Sequence, residues 1–107
     1  MTFAKEWKTV QAKIHKNAVD RGFWENERNE GELIALIHSE LSEGLEALRK
    51  DLDDDKVPEF KGIEAELADA VIRIMDYAEG YNYRVVEAIE AKMVMNKTRE
   101  RMHGKKF

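Results

Sequence analysis

Glu30-Gly31-Glu32-Leu33-Ile34-Ala35-Leu36-Ile37-His38-Ser39-Glu40-Leu41-Ser42-Glu43-Gly44-Leu45-Glu46-Ala47-Leu48, residues 30–48, decides the fold class. Each residue of a helix turns about 100°, so positions three and four apart share a side. On that arithmetic Leu33, Ile34, Leu36, Ile37, Leu41, Leu45 and Leu48 gather on one side, with none of the alternation of a half-buried strand. Glu40 falls inside this apolar sector, Glu43 lies at its edge, and Glu46 projects to the opposite side. A glutamate among leucines needs a reason, because an unpaired buried carboxylate costs several kcal/mol.

The same period extends in both directions. Upstream, a helix is expected from Phe3 to Asp20 with Trp7, Val10, Ile14 and Ala18 on one stripe, and Gly22 ends it. The loop Gly22–Asn29 sets Phe23 and Trp24 among polar residues. The central helix runs from Glu30 to Asp51, where the acids Asp51, Asp53, Asp54 and Asp55 close it, since acids disfavour a helix C-terminus. Downstream, helices are expected over Lys61–Glu79 and Tyr83–Met102, closed by Gly80 and Gly104. No segment reads as a strand, so the class is all-α. Short loops favour antiparallel neighbours in a four-helix bundle-like arrangement. At 107 residues the chain fits one domain spanning residues 1–107. A domain of this size buries only about 60–70% of its unfolded surface, which favours self-association.

The third helix repeats the intrusion seen in the second. Ile63, Leu67, Ala70, Val71, Ile74 and Ala78 define its apolar side, and Glu66 and Asp69 border it three residues apart. Two consecutive helices thus each bring a carboxylate pair, Glu40-Leu41-Ser42-Glu43 and Glu66-Leu67-Ala68-Asp69. A divalent cation offsets such crowding. With no cysteine in the chain, the donors are hard oxygens, which suit magnesium. On the fourth helix Lys92, Asn96 and Arg99 share a face with Val85, Ala88 and Ile89. Acids that hold metal beside bases that hold phosphate are what triphosphate cleavage requires, because that chemistry is mostly positioning and charge neutralisation.

A formal net charge of −4 argues against a general basic surface for polymeric nucleic acid. The tail is locally basic, with Lys97, Arg99, Arg101, Lys105 and Lys106 against the single acid Glu100, and is either a phosphate contact or a solvated terminus. No stretch approaches the roughly 20 apolar residues of a membrane span, and the N-terminus lacks the pattern of a secretory leader. A cytoplasmic protein with no membrane partner is the expectation.

In this order and spacing the chain resembles the MazG-like nucleotide pyrophosphohydrolases, all-α enzymes related to dimeric dUTPases and to phosphoribosyl-ATP pyrophosphohydrolases. The resemblance covers most of the chain. It rests on Glu40-x-x-Glu43, then Glu66-x-x-Asp69, then Lys92-x-x-x-Asn96-x-x-Arg99, with Gly22-Phe23-Trp24 and Arg28-Asn29 leading into Leu36-Ile37-His38-Ser39-Glu40. It implies that Glu40, Glu43, Glu66 and Asp69 coordinate Mg²⁺, with Mn²⁺ as a substitute. It implies hydrolysis of a nucleoside triphosphate at the α-phosphorus to monophosphate and pyrophosphate. Lys92, Asn96 and Arg99 then contact phosphate or sugar, and the chains assemble as homodimers or homotetramers. Either Glu43 or Glu40 is the catalytic carboxylate, Glu43 being nearer the helix edge.

Other positions stay open between two roles. Phe23 and Trp24 either stack on a base or plug the bundle end, and Trp24 is the stronger candidate for stacking. Asn29 is a helix cap or a base contact. His15 and His38 are donors or structural residues. Ala68, Ile72 and Met75 make a second apolar side on the third helix, as at a subunit interface, which Met93, Met95 and Met102 extend. The rival from another class is a non-catalytic helical oligomerisation module whose inward charges fix register.

Overall fold

The computed structural model describes residues 2–99 and 104–106. Among them are four helices, α1 (Phe3–Asp20), α2 (Glu30–Lys50), α3 (Gly62–Tyr81) and α4 (Val85–Lys97), with no β-strand. The first three match the periodicity closely, except that α3 runs through Gly80 and is closed by Asn82, which takes the left-handed conformation expected of the glycine. α4 stops short of the expected limit, and Met102 itself, with Glu100 and Arg101, lies outside the described residues.

Local chemistry sets the helix ends. Asn29 caps α2, its side-chain oxygen accepting from the Glu32 amide at 3.1 Å. Glu30 and Glu32 in the first turn and Arg49 and Lys50 in the last oppose the helix dipole. Asp51 then turns left-handed at φ 51°, and the acidic run folds back on itself. Asp54 Oδ2 accepts from the Lys56 and Val57 amides at 2.9 and 2.8 Å, and the Gly62 amide donates to Leu52 O at 2.8 Å. This turn starts α3 against the end of α2.

The close approach there depends on Gly62. A Cβ at that position would sit 2.7 Å from Ala47 Cβ and 3.0 Å from the Leu52 carbonyl oxygen. Gly62→Ala is therefore expected to cost about 1–3 kcal/mol, as overpacking does. A thermal melt checks this, and an unchanged midpoint would contradict the contact.

α3 lies between α2 and α1, packing most extensively on α2; α4 rests lightly on α1. The order of packing is thus α2, α3, α1, α4, which leaves α2 and α4 each with one main neighbour. The buried apolar set is small, comprising Leu33, Ala47, Ala70, Met75, Ala78 and Val86. Ile34, Leu41, Leu45 and Leu48 stay exposed along α2, as do Leu67 and Val71 on α3. The radius of gyration of 16.1 Å exceeds the roughly 13 Å of a compact chain of this length. No described helix is long and apolar enough to cross a membrane.

Candidate functional site

Antiparallel packing of α2 on α3 lets two acids one turn apart on α2 meet one acid of α3. Glu40, Glu43 and Glu66 each offer a carboxylate oxygen within 4.8 Å of the others. Glu40 is only 7% exposed, as its position among leucines implied, whereas Glu43 is open to solvent. Glu66 Oε2 is buried without a hydrogen-bond partner. Burial, reinforced by the close approach of the Glu40 and Glu43 carboxylates, pushes the Glu66 carboxyl up to about 8.

Asp69 lies outside this convergence but lines the same cavity. Burial holds its carboxyl above the ordinary range, with Glu40 and Asp54 adding repulsion and Arg73 opposing them. Asp54 and Asp55, which the sequence suggested only as helix terminators, also reach the cavity wall.

The cavity, of about 900 Å³, is an open cleft between α1, the acidic turn and α3. Besides the acids it is lined by Lys13, Arg28, Lys56 and Arg73. None of these four cations was singled out from the sequence as a phosphate ligand. A signal for Arg73 existed: Glu66, Asp69, Arg73 and Asp76 stand at spacings of three, four and three, a single stripe along α3. Arg73 Nε donates to Glu40 Oε1 at 2.9 Å. Of the three residues expected at a subunit interface, Ala68 and Ile72 line this cavity, with Ile72 exposed, and Met75 is buried within the chain.

Asp76 ties the far end together. Its carboxylate accepts from Trp24 Nε1 at 3.0 and 3.1 Å, lies 2.8 Å from His15 Nδ1, and faces Arg28 Nη1 at 3.9 Å. The Arg28 guanidinium sits 5.4 Å from the Trp24 ring centroid and 5.9 Å from that of Phe23. The Tyr81 hydroxyl donates to the Arg28 carbonyl, and Tyr77 and Tyr83 both donate to Glu30. Those two bonds hold the Glu30 carboxyl below its usual value, and the bond to Glu30 pushes the Tyr77 hydroxyl up to about 12. The loop between α1 and α2 is therefore anchored at several points on α3.

The anchoring divides the two aromatics. Trp24 packs over Gly80 with its indole nitrogen committed to Asp76. Phe23, 62% exposed, lines the cavity and is the ring open to a ligand. Asn29 serves as the cap. His38 is exposed, and Glu46 faces solvent and pairs with Lys50 at 3.0 Å.

Lys92, Asn96 and Arg99 are not brought to the acids within one chain. All three are exposed, as are Met93 and Met95 beside them. The apolar face of α4 that turns inward is centred on Val86, and Lys8 of α1 pairs with Glu87 of α4 at 2.7 Å.

The donor set fits a hard cation. Ligand oxygens around Mg²⁺ at about 2.0–2.1 Å lie about 3–4 Å from one another, a separation within reach of the triad after small side-chain rotations. An orphaned carboxylate oxygen beside two further carboxylates is the arrangement such an ion stabilises. Comparisons with protein-family models, with curated proteins and with solved structures give no match to this chain.

Proposed function

We propose that this protein is a Mg²⁺-dependent, MazG-like nucleotide pyrophosphohydrolase that converts nucleoside triphosphates to monophosphates and pyrophosphate. The observation that carries the reading is the convergence of Glu40, Glu43 and Glu66, with Glu66 Oε2 buried and unpartnered, at a cavity that also presents cations. The ordered motifs on α2, on α3 and across the end of α4 support the same family.

Glu40, Glu43, Glu66 and, from the same cavity wall, Asp69 would hold Mg²⁺, which when bound would supply charge neutralisation for the triphosphate oxygens and a more acidic water. The residues divide the remaining work. In this reading Glu43 rather than Glu40 accepts a proton from the attacking water, a choice supported by its being the exposed member of the triad. Lys13, Arg28 and Lys56 on the cavity walls meet phosphate oxygens. Phe23 offers a stacking face for the base, and Trp24 supports Arg28 beneath it.

Lys92, Asn96 and Arg99 contribute in this reading from a second copy of the chain. The exposed apolar stripes on α2, α3 and α4 support assembly as a homodimer or homotetramer. Nucleotide-pool house-cleaning in the cytoplasm is the role that follows. A dUTPase or a phosphoribosyl-ATP hydrolase would keep the same metal site, and a panel of nucleotides assayed for pyrophosphate release separates these substrates. An oligomerisation module would share the apolar stripes but gives no reason for the orphaned Glu66 oxygen.

The face assignment has a direct test. Glu43→Gln and Asp69→Asn are expected to lower Mg²⁺-dependent pyrophosphate release by roughly a hundredfold or more, since even residues that only support metal ligands cost ten- to a hundredfold. Circular dichroism should show helicity intact. Glu46→Gln is expected to leave turnover within about twofold, as a solvated surface change does. Equal losses from all three would sink the assignment.

A further inference from the structure

We infer that Arg73 works in two positions: it neutralises Glu40 in the cation-free protein and turns to a phosphate oxygen once a divalent cation takes Glu40. This rests on the reading of the triad as a metal site. Arg73 stands on α3 one turn beyond Asp69 and lines the cavity. Its Nε donates to Glu40 Oε1 at 2.9 Å, and its terminal nitrogens meet no acceptor among the described residues.

The two partners differ in freedom. The Glu40 side chain is 9% exposed and fixed in the α2–α3 seam, whereas that of Arg73 is 39% exposed. A cation arriving at the triad competes for the oxygen that Arg73 holds, and like charge pushes the guanidinium outward. The outward direction is the cavity. A polyphosphate there carries several negative charges, and the planar guanidinium fork matches two oxygens of one phosphate group. Arg73 thus opposes metal binding in the empty site and favours ligand binding in the loaded one.

Such opposite signs separate this role from a structural strut. Mn²⁺ binding without nucleotide, followed by electron paramagnetic resonance, reads the first position. Binding of inorganic tripolyphosphate at saturating Mg²⁺, followed by calorimetry, reads the second without dependence on the base. For Arg73→Gln, Mn²⁺ affinity is expected to rise roughly tenfold and tripolyphosphate affinity to fall roughly tenfold, each about one charge interaction at a partly wet site. Arg73→Lys retains the charge but not the fork. It is expected to bind Mn²⁺ like the wild type and tripolyphosphate several-fold more weakly, so it tests the second position even if the glutamine variant does not fold.

Weaker Mn²⁺ binding by Arg73→Gln, or tripolyphosphate binding equal to wild type in either variant, would overturn the inference while leaving the metal site intact. Wild-type protein that binds no Mn²⁺ would overturn the metal reading and this inference together.

Discussion

Glu66→Gln is expected to abolish Mg²⁺-dependent hydrolysis while making the metal-free protein more stable at neutral and alkaline pH. The loss follows from removing a carboxylate from the triad, and roughly a hundredfold is its lower bound. The gain follows from proton linkage. Glu66 ordinarily titrates at 4.5 and in the folded protein at about 8. Between those values the folded state holds a proton that the unfolded state has released, so stability falls with rising pH. The contribution of the protonated group is complete below about 4.5 and gone above about 8. Glutamine is a permanent neutral stand-in and has no such decline. Melting midpoints from pH 5 to 9 without metal should therefore fall for the wild type and stay flatter for the variant. Mg²⁺ should restore the wild type most where the proton has already left, and its affinity should climb with pH toward about 8. Parallel melting curves for the two proteins would remove the basis for coupling among these acids.

Asp76→Ala is expected to produce the largest loss of stability, about 3–5 kcal/mol, because it strands groups that are themselves mostly buried. The Asp76 carboxylate is 13% exposed and meets Trp24, His15 and Arg28, so one truncation releases both α1 and the Phe23-bearing loop from α3. A drop of more than about 10 °C in the melting midpoint corresponds to that energy for a chain of this size. Asp76→Asn keeps a carbonyl oxygen for the Trp24 indole and should lose markedly less. If the alanine variant melts within a few degrees of the wild type, the loop is held by other contacts.

What the sequence disclosed was governed by contacts within a helix or between adjacent ones. The three-and-four spacing located α1 to α3 almost to the residue, and Glu40 among leucines correctly marked a buried acid. Triad formation followed because α2 and α3 are joined by a folded-back connection, residues 51–61, and pack on one another more than any other pair of helices. Lys92, Asn96 and Arg99 depend instead on contacts that spacing does not encode. Helical spacing says which residues share a face, not which neighbour covers that face, and α4 rests mainly on α1. Which of Phe23 and Trp24 is fixed and which is exposed was hidden for a similar reason. Adjacent aromatics in a loop look alike until a distant carboxylate, Asp76, claims one indole nitrogen. Arg73 carried its signal openly, at a regular interval beyond Glu66 and Asp69, but an arginine in such a stripe reads as solvated until Glu40 is seen across the seam.

The placement of Trp24 has an optical consequence. Its indole is fixed between a carboxylate and a guanidinium, and both of those groups belong to the wall of the cleft. Any movement of Arg28 or Asp76 alters the electric field across the ring, and with it the colour and yield of emission. The protein thus carries a built-in fluorophore at the far end of its cleft, so occupancy there registers without a label attached.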